Sequence, residues 1–258
     1  GLDIKENIPG VADATMLCLG FNGVAEIGEN KLPLRAYWAD NSFLNVFTYP
    51  LVEGNPVSAL KGPYSIVLTE KLAIKMFGKK EVVGRTIKFG DDNYTVTGIL
   101  ENIPKLSYLD FEALVSFSTA ALQNANAENG FFDWENIYGS YTYVLLPSGH
   151  DLETLQGNLN HLAQAENAKL RNREITLSLQ PLTKISIGDS MANEVGPTLN
   201  GLTIGILIAL ALIVIISACF NYTNLSIARA LKRSREVGIR KTVGAKKGQI
   251  VLQFVVES

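Results

Sequence analysis

The sequence predicts an α+β domain over residues 1–200, followed by one transmembrane α-helix and a short basic segment. Strand-like and helix-like patterns alternate along the first 200 residues, and residues 195–228 carry no charged side chain. Residues 229–258 hold eight Lys or Arg against two Glu. With 47 % apolar residues in a chain of 258, the first part has enough material for its own core.

The first fifty residues predict a turn and two strands. Residues 5–10 (KENIPG) indicate the end of a helix and a Pro-Gly turn, and strands follow near 14–19 and 31–38. Aromatic side chains are dense just after them: Tyr37, Trp38, Phe43, Phe47 and Tyr49. We expect these rings to pack with one another in the domain and not to form a ligand cage.

Residues 65–100 contain the clearest local signals. SIVL (65–68) predicts a short buried strand, Thr69 an N-cap, residues 70–77 a helix, and Gly78 its end. Residues 84–100 predict a β-hairpin that turns at GDDN (90–93), with apolar side chains alternating on both strands. The two aspartates of this turn lack the further oxygen ligands of a calcium loop, so we expect a solvated turn.

The remainder of the domain predicts a strand–helix–strand unit. Strands are expected near 112–117 and 140–146, with a helix and loop between them over 121–136. Asp151 is expected to cap a helix with leucines at 152, 155, 159 and 162, and residues 174–182 to return as a strand. We therefore predict a subdomain of residues 1–40 and 137–185 and a β-rich insertion over 41–136.

The apolar run 202–220 (LTIGILIALALIVIISACF) predicts a transmembrane helix over residues 201–228. Nineteen residues at about 1.5 Å each span roughly 28 Å, which matches the hydrocarbon thickness of a bilayer. The alternative is a buried core helix. Residues 229–258 carry a net charge of +6 and residues 1–228 a net charge of −8, fifteen basic against twenty-three acidic. Because basic flanks stay in the cytoplasm, the acidic domain is expected on the outer side.

The composition offers little catalytic chemistry. His150 and His161 lack partners at metal or nucleophile spacing, and GxSxG, HExxH and phosphate-loop motifs are absent from the sequence. A carboxylate pair such as Asp133 and Glu135 stays open as an alternative. Cys18 and Cys219 are expected to be unpaired apolar fillers, and the acidic domain disfavours nucleic acid. Because the chain begins with Gly1, we expect a longer parent protein with a signal peptide or a membrane helix upstream.

The sequence after the apolar run, NYTNLSIARALKRSREVGIRKTVGAKKGQIVLQFVVES (221–258), carries the pattern R-x-x-E-V-G-I-R-K-x-x-G-A. It resembles the FtsX/MacB family of ABC-transporter permeases, and residues 49–56, 65–78, 83–100 and 103–116 are similar to the periplasmic core domain of that family. The residues that match at the membrane-proximal segment are Arg233 or Arg235, Glu236, Val237, Gly238, Ile239, Arg240, Lys241, Gly244, Ala245, Gln253, Phe254 and Glu257.

The resemblance implies a permease subunit of the bacterial inner membrane that is not itself an enzyme and binds no cofactor. It implies a periplasmic domain (1–200) with a porter-like α/β subdomain and a β-rich insertion, a membrane helix (201–228) and a cytoplasmic coupling segment (229–258). ATP would bind a separate ABC ATPase, and the subunit would serve export or mechanotransmission. Membrane lipid, a second permease copy or half and a periplasmic partner are the other expected partners. The expected ATPase contacts are Glu236, Gly238, Arg240, Lys241, Gly244 and Ala245.

Two other classes of function remain open at this point. A single-pass receptor would bind a ligand outside the membrane and contact a signalling protein through the basic tail, but it leaves the REVGIRK pattern unexplained. A membrane-anchored periplasmic enzyme would need a polar pocket with carboxylates of perturbed pKa in the outer domain.

The predicted topology can be tested with single cysteines at Ser148 and Ser234 in a cysteine-free parent. A membrane-impermeant thiol reagent added to intact cells is expected to label position 148 and to spare position 234, because the basic flank stays inside. Both positions should react after the cells are permeabilised. Labelling of position 234 alone in intact cells would invert the orientation.

Overall fold

A computed structural model describes residues 8–28, 30–123, 134, 139–149, 151–170, 173–188, 195–244, 246, 248–249 and 251–252. The chain divides into two compact units, an N-terminal unit (Gly1–Thr198) and a C-terminal unit (Leu199–Ser258). The α+β class predicted from the sequence is confirmed.

The N-terminal unit consists mainly of short strands and helices. Its strands are β1 (Asp13–Ile27), β2 (Asn30–Ala39), β3 (Leu51–Gly54), β4 (Ser65–Thr69), β5 (Thr86–Phe89), β6 (Asp92–Leu100), β7 (Ala113–Ser116), β8 (Ser140–Leu145) and β9 (Ile187–Gly188). Its helices are α1 (Phe43–Val46), α2 (Glu70–Phe77), α3 (Phe117–Gln123), α4 (Leu152–Asn167) and a 3-10 turn (Leu182–Lys184). The C-terminal unit contains β10 (Leu199–Asn200) and α5 (Gly201–Thr242).

Six strands close into a ring in the order β1-β2-β7-β4-β6-β5, with β5 pairing back to β1. Strand β8 extends the sheet from the first residues of β1, and β3 pairs with β6. Closure removes most of the open sheet edges, which would otherwise present unpaired backbone groups. Alternate residues of the six ring strands share one buried cluster, and α2 and α3 contribute to it.

Phe21 of β1 lies at the centre of this cluster. Its ring stacks on Phe89 with centroids 4.2 Å apart and makes edge contacts with Trp38 and Tyr94 at 4.9 and 5.3 Å. A Cβ at Gly23 would stand only 2.6 Å from the Phe89 ring, so glycine makes room for this stack. The predicted hairpin is confirmed, because Ile87 of β5 pairs with Tyr94 of β6.

The predicted signals around α2 are also confirmed. The hydroxyl of Thr69 accepts a hydrogen bond from the N–H of Leu72, and Gly78 ends the helix at φ +75° while donating its N–H to the Ile74 carbonyl at 2.8 Å. Asp151 caps α4 as predicted by accepting from the Glu153 N–H at 3.0 Å.

The return strand predicted over residues 174–182 is wrong, since no strand is assigned between residues 173 and 181. The segment is extended, but side chains of α4 take the place of a partner strand. The Asn167 amide bonds both the N–H and the carbonyl of Ile175, at 2.8 and 2.9 Å. The Gln156 amide bonds the Leu177 carbonyl at 2.7 Å and the Leu179 N–H at 3.1 Å.

Other predicted helix and strand boundaries differ less from those of the structure. Helix α3 begins at Phe117, where the prediction began at 121, and residues 124–133 and 135–138 lie outside the described part of the chain. The predicted division into subdomains 1–40 with 137–185 and 41–136 stays a prediction. Strands β1 and β2 hydrogen-bond with β5 and β7, so one sheet runs across the boundary at residue 40.

The predicted aromatic packing is confirmed in a second cluster on the other face of the sheet. Phe43 stacks on Tyr49 with centroids 5.9 Å apart, and Phe47 meets the edge of Tyr143 at 4.9 Å. Phe111 contacts Phe43 and Tyr49 at 5.9 and 5.5 Å. Trp38 instead packs in the cluster around Phe21.

Asp40 joins the two strands of the first hairpin to α1. One carboxylate oxygen accepts from the Thr15 hydroxyl at 2.7 Å and from the Ser42 N–H at 3.0 Å, and the other accepts from the Met16 N–H at 2.9 Å. Burial raises the pKa of the Asp40 carboxyl, and these three hydrogen bonds oppose that rise. The carboxylate therefore stabilises the place where β1, β2 and α1 meet.

Asp40→Asn is expected to lower the free energy of unfolding by roughly 1–3 kcal/mol. The amide NH₂ of asparagine would replace one carboxylate oxygen, so a donor would face a backbone N–H donor and that hydrogen bond would be lost. Urea unfolding followed by circular dichroism measures the change. The matched control is Asp91→Asn in the exposed hairpin turn, which should leave the midpoint unchanged. Equal stability of both variants would show that Asp40 is not a structural centre.

Candidate functional site

Helix α5 runs without interruption for 42 residues, from Gly201 to Thr242. At about 1.5 Å per residue it is roughly 63 Å long, about twice the hydrocarbon thickness of a bilayer. Its part from Gly201 to Lys232 is long and apolar enough to cross a membrane, and none of it is buried. This exposure favours a membrane span over a buried core helix, and the helix extends past the apolar run into the basic segment.

Two hydroxyl groups of α5, and the cap at its start, are bonded to the helix itself. Asn200 caps its start by accepting from the Leu202 N–H at 2.8 Å. Thr223 donates to the Cys219 carbonyl at 2.8 Å, and Ser234 donates to the Leu231 carbonyl at 2.7 Å. Within the apolar span, the Thr223 bond spares its hydroxyl from facing hydrocarbon without a partner.

The helix ends in a bend at Gly244. The N–H of Val243 bonds the Ile239 carbonyl at 3.1 Å, and the N–H of Gly244 bonds the Lys241 carbonyl at 3.2 Å. Gly244 has φ +98°, a conformation that side chains with a Cβ rarely adopt. Glycine therefore suits this bend, and an open cleft of about 420 Å³ lies beside it, lined by Ile239, Arg240, Val243 and Gly244.

A second helical stretch begins just after the bend. The Gln249 side chain accepts from the Lys246 N–H at 3.1 Å, while the Gln249 N–H bonds the Lys246 carbonyl at 3.0 Å. Residues 248–249 and 251–252 are helical. The Gln249 side chain thus satisfies the backbone N–H of Lys246 at the start of this stretch, while the second bond joins backbone to backbone.

The structure places most of the expected coupling residues in the last turns of α5. The side chains of Arg240 and Lys241 are exposed, and an added Cβ at Gly238 would meet open space. Position 236 is helical and one turn before position 240, whereas Ala245 lies outside the described residues. Five of the six expected coupling positions thus fall on one helix end and its bend.

The alternative sites raised by the sequence are a metal site, a carboxylate pair and the two histidines. Among the residues that the structure describes, no three His, Cys, Asp or Glu side chains are grouped so that they could hold a metal ion. Asp133, Glu135 and His150 lie outside the described part, and His161 is exposed on α4. Asp92 of the hairpin turn accepts a hydrogen bond from Gln123 at 2.7 Å. The two cysteines are unpaired, Cys18 buried and Cys219 exposed on α5.

Two protein families match the chain. The MacB-like periplasmic core domain matches residues 1–162, and the FtsX-like permease C-terminal segment matches residues 201–258. Both matched ranges agree with the two compact units, and the second contains α5 and the bend at Gly244.

Individual relatives agree with the family matches. The chain is 23 % identical to the uncharacterized ABC transporter permease YknZ of Bacillus subtilis over 242 residues, which are 92 % of this chain and 51 % of YknZ. It is 25 % identical to the macrolide export ATP-binding/permease protein MacB of Chlorobium luteolum over 74 % of this chain and 27 % of that protein. The chain thus spans about half, or about a quarter, of these relatives.

Solved structures confirm the fold. A domain of a provisionally assigned permease protein from Porphyromonas gingivalis superimposes with a TM-score of 0.53 and 20 % identity, covering 71 % of this chain and 86 % of that one. The periplasmic region of MacB from Actinobacillus actinomycetemcomitans gives a TM-score of 0.50 at 15 % identity, over 64 % of this chain and 72 % of that one.

Gly244→Ala is expected to open the bend, because an L residue forced into left-handed backbone costs roughly 1–2 kcal/mol. Spin labels at Arg235 and Val251, one on each side of the bend, report it as a longer or broader distance distribution in detergent. Gly238→Ala is the matched control, since it lies within the helix and its added methyl meets open space. An unchanged distribution in Gly244→Ala would contradict a bend set by this glycine.

Proposed function

The chain belongs to the FtsX/MacB family of ABC-transporter permeases, and on this premise we propose that it couples ATP hydrolysis by a separate ATPase to movement of a periplasmic domain. ATP binds the ATPase, and the permease itself carries no cofactor. The work done outside the membrane is export of a substrate or mechanotransmission to a periplasmic partner, and a second permease copy or half completes the assembly.

Charge and hydropathy support the orientation of the proposed permease. The N-terminal unit is acidic and the segment beyond the apolar run is basic, which favours a cytoplasmic location for residues 229–258 and a periplasmic location for residues 1–200. The proposed membrane is the bacterial inner membrane, since an ATP-dependent partner works from the cytoplasm. Residues 201–228 would cross it, in contact with lipid.

The continuity of α5 carries this proposal. One hydrogen-bonded helix includes both the apolar run and the Arg240–Lys241 turn, so a force applied at the basic end passes along a stiff rod. A flexible linker between a membrane anchor and a signalling tail would transmit no such displacement. A single-pass receptor needs only an anchor, and family membership and the length of α5 both favour the permease.

The basic end of α5 suits contact with a protein partner. Arg240 and Lys241 are exposed, and Arg240 lines an open cleft. The bend at Gly244 turns the chain into the second helical stretch. We propose that Glu236, Gly238, Arg240, Lys241, Gly244 and Ala245 contact the ATPase, with the charged residues forming ion pairs and the glycines permitting close approach of backbone. An alternative role for these charges is to anchor the helix at anionic lipid.

A pull-down of the detergent-solubilised full-length permease tests the proposal. The wild type is expected to bring down an ATPase subunit, and Glu236→Lys and Arg240→Glu to lose most of it, because reversal of a paired interface charge typically costs several kcal/mol. Co-purified ATPase is measured by immunoblot and by ATP hydrolysis.

Lys232→Glu is the matched control, with the same change of charge on the same helix two turns before Arg240. It should retain the ATPase. If all three reversals retain the ATPase equally, the coupling residues are wrong although the permease function stands. If no version brings down an ATPase, the basic segment is only a topological anchor and the receptor becomes the better interpretation.

A further inference from the structure

The end of the N-terminal unit, at Val195 and Gly196, packs closely against the loop of the same unit that carries Tyr108. A Cβ added to Gly196 would stand 2.0 Å from the carbonyl oxygen of Tyr108 and 2.9 Å from the Tyr108 ring. Contacts this short do not exist between real atoms, so no residue other than glycine fits without displacement of the Tyr108 backbone. The neighbouring Val195 packs against the second aromatic cluster.

Three hydrogen bonds attach the loop that carries Tyr108. The Ser107 N–H bonds the Pro104 carbonyl at 2.9 Å, and the Ser107 and Tyr49 hydroxyls lie 3.4 Å apart. The Tyr37 hydroxyl donates to the Asp110 carbonyl at 3.4 Å. The Tyr108 carbonyl therefore cannot yield easily to a side chain at position 196.

Five tyrosines belong to the second aromatic cluster, together with Val195 and several aliphatic and phenylalanine side chains. We call these five the tyrosine seat, which comprises Tyr37, Tyr49, Tyr108, Tyr141 and Tyr143. Tyrosine hydroxyls are neutral at physiological pH, and burial, followed by the neighbouring phenols of Tyr108 and Tyr141, raises the pKa of Tyr143 still further above it. The seat is an uncharged aromatic surface of strand β8, strand β2 and two loops, which suits an apolar side chain such as Val195.

We propose that Val195 and Gly196 form the junction through which displacement of α5 reaches the N-terminal unit. Gly201 begins the helix five residues after Gly196, so a pull on the first turn of α5 acts on a segment held at the tyrosine seat. The displacement then passes from Tyr108 to its neighbours Leu109 and Phe111, which are buried in the second aromatic cluster. Gly196 is a positioning residue whose missing side chain permits the contact.

This inference rests on the proposed function, and hydrogen–deuterium exchange separates the two. The complete permease with its ATPase is reconstituted in nanodiscs, and exchange is measured with and without ATP in peptides 229–242 and 104–111. In the wild type, ATP is expected to change exchange in both peptides. Gly196→Ala is expected to keep the change in 229–242 and to lose it in 104–111.

Gly157→Ala is the matched control, because that glycine lies in α4 of the same unit and its added methyl meets open space. It should behave as the wild type. Val195→Ser weakens the same junction without a steric clash. It is expected to keep the ATP-dependent change in 229–242 and to lose it in 104–111, and it replaces Gly196→Ala if that variant unfolds the N-terminal unit.

The possible failures differ in pattern. A wild type that responds in 229–242 but not in 104–111, or Gly196→Ala and Val195→Ser variants that keep the response in 104–111, would overturn the junction and leave the proposed function intact. A wild type that responds in neither peptide would overturn the proposed function, and the junction with it.

Discussion

The unbroken hydrogen-bond ladder of α5 is the constraint on which the other features of the C-terminal unit depend. In hydrocarbon, a backbone must satisfy its own polar groups, and α5 does so from Gly201 to Thr242, with hydroxyls such as that of Thr223 turned back onto the helix. The same ladder continues beyond the apolar run. A helix that begins as a membrane span thus ends as a basic surface, without a flexible joint between them.

The N-terminal unit has a different source of rigidity. Its six-stranded ring closes around Phe21, and closure fixes the register of every strand at once, because a slip in one would break the pairing at two edges. Asp40 ties the start of β1 to the end of β2 and to α1. A closed ring with a half-buried carboxylate where β1, β2 and α1 meet is suited to move as one body.

The sequence predicted features whose signals are local. Each of these features is determined by residues at or next to it in the sequence. They are the cap of α2 at Thr69, the end of α2 at Gly78, the hairpin turn at residues 90–93 and the membrane span. The strand expected over residues 174–182 failed because alternation shows only that a segment is extended, and here Gln156 and Asn167 provide its partners. Ring closure and the contact of Gly196 with Tyr108 join residues distant in sequence. The coupling residues came from family resemblance and not from any pattern of spacing.

Two glycines beside the ends of α5 differ in what they require, and this difference bears on the proposed coupling. Gly244 needs a backbone conformation, φ +98°, which other residues reach only with strain. Gly196 needs space, since the Tyr108 carbonyl occupies the place of its Cβ. The bend at Gly244 depends on the backbone conformation of one residue, so it can tolerate changes in the residues around it. The contact of Gly196 with Tyr108 depends on close packing of two surfaces, so it is lost when either surface moves. If α5 transmits displacement, its N-terminal attachment is therefore the more exacting of the two ends, and the loop that carries Tyr108 is as important to coupling as the glycine that rests on it.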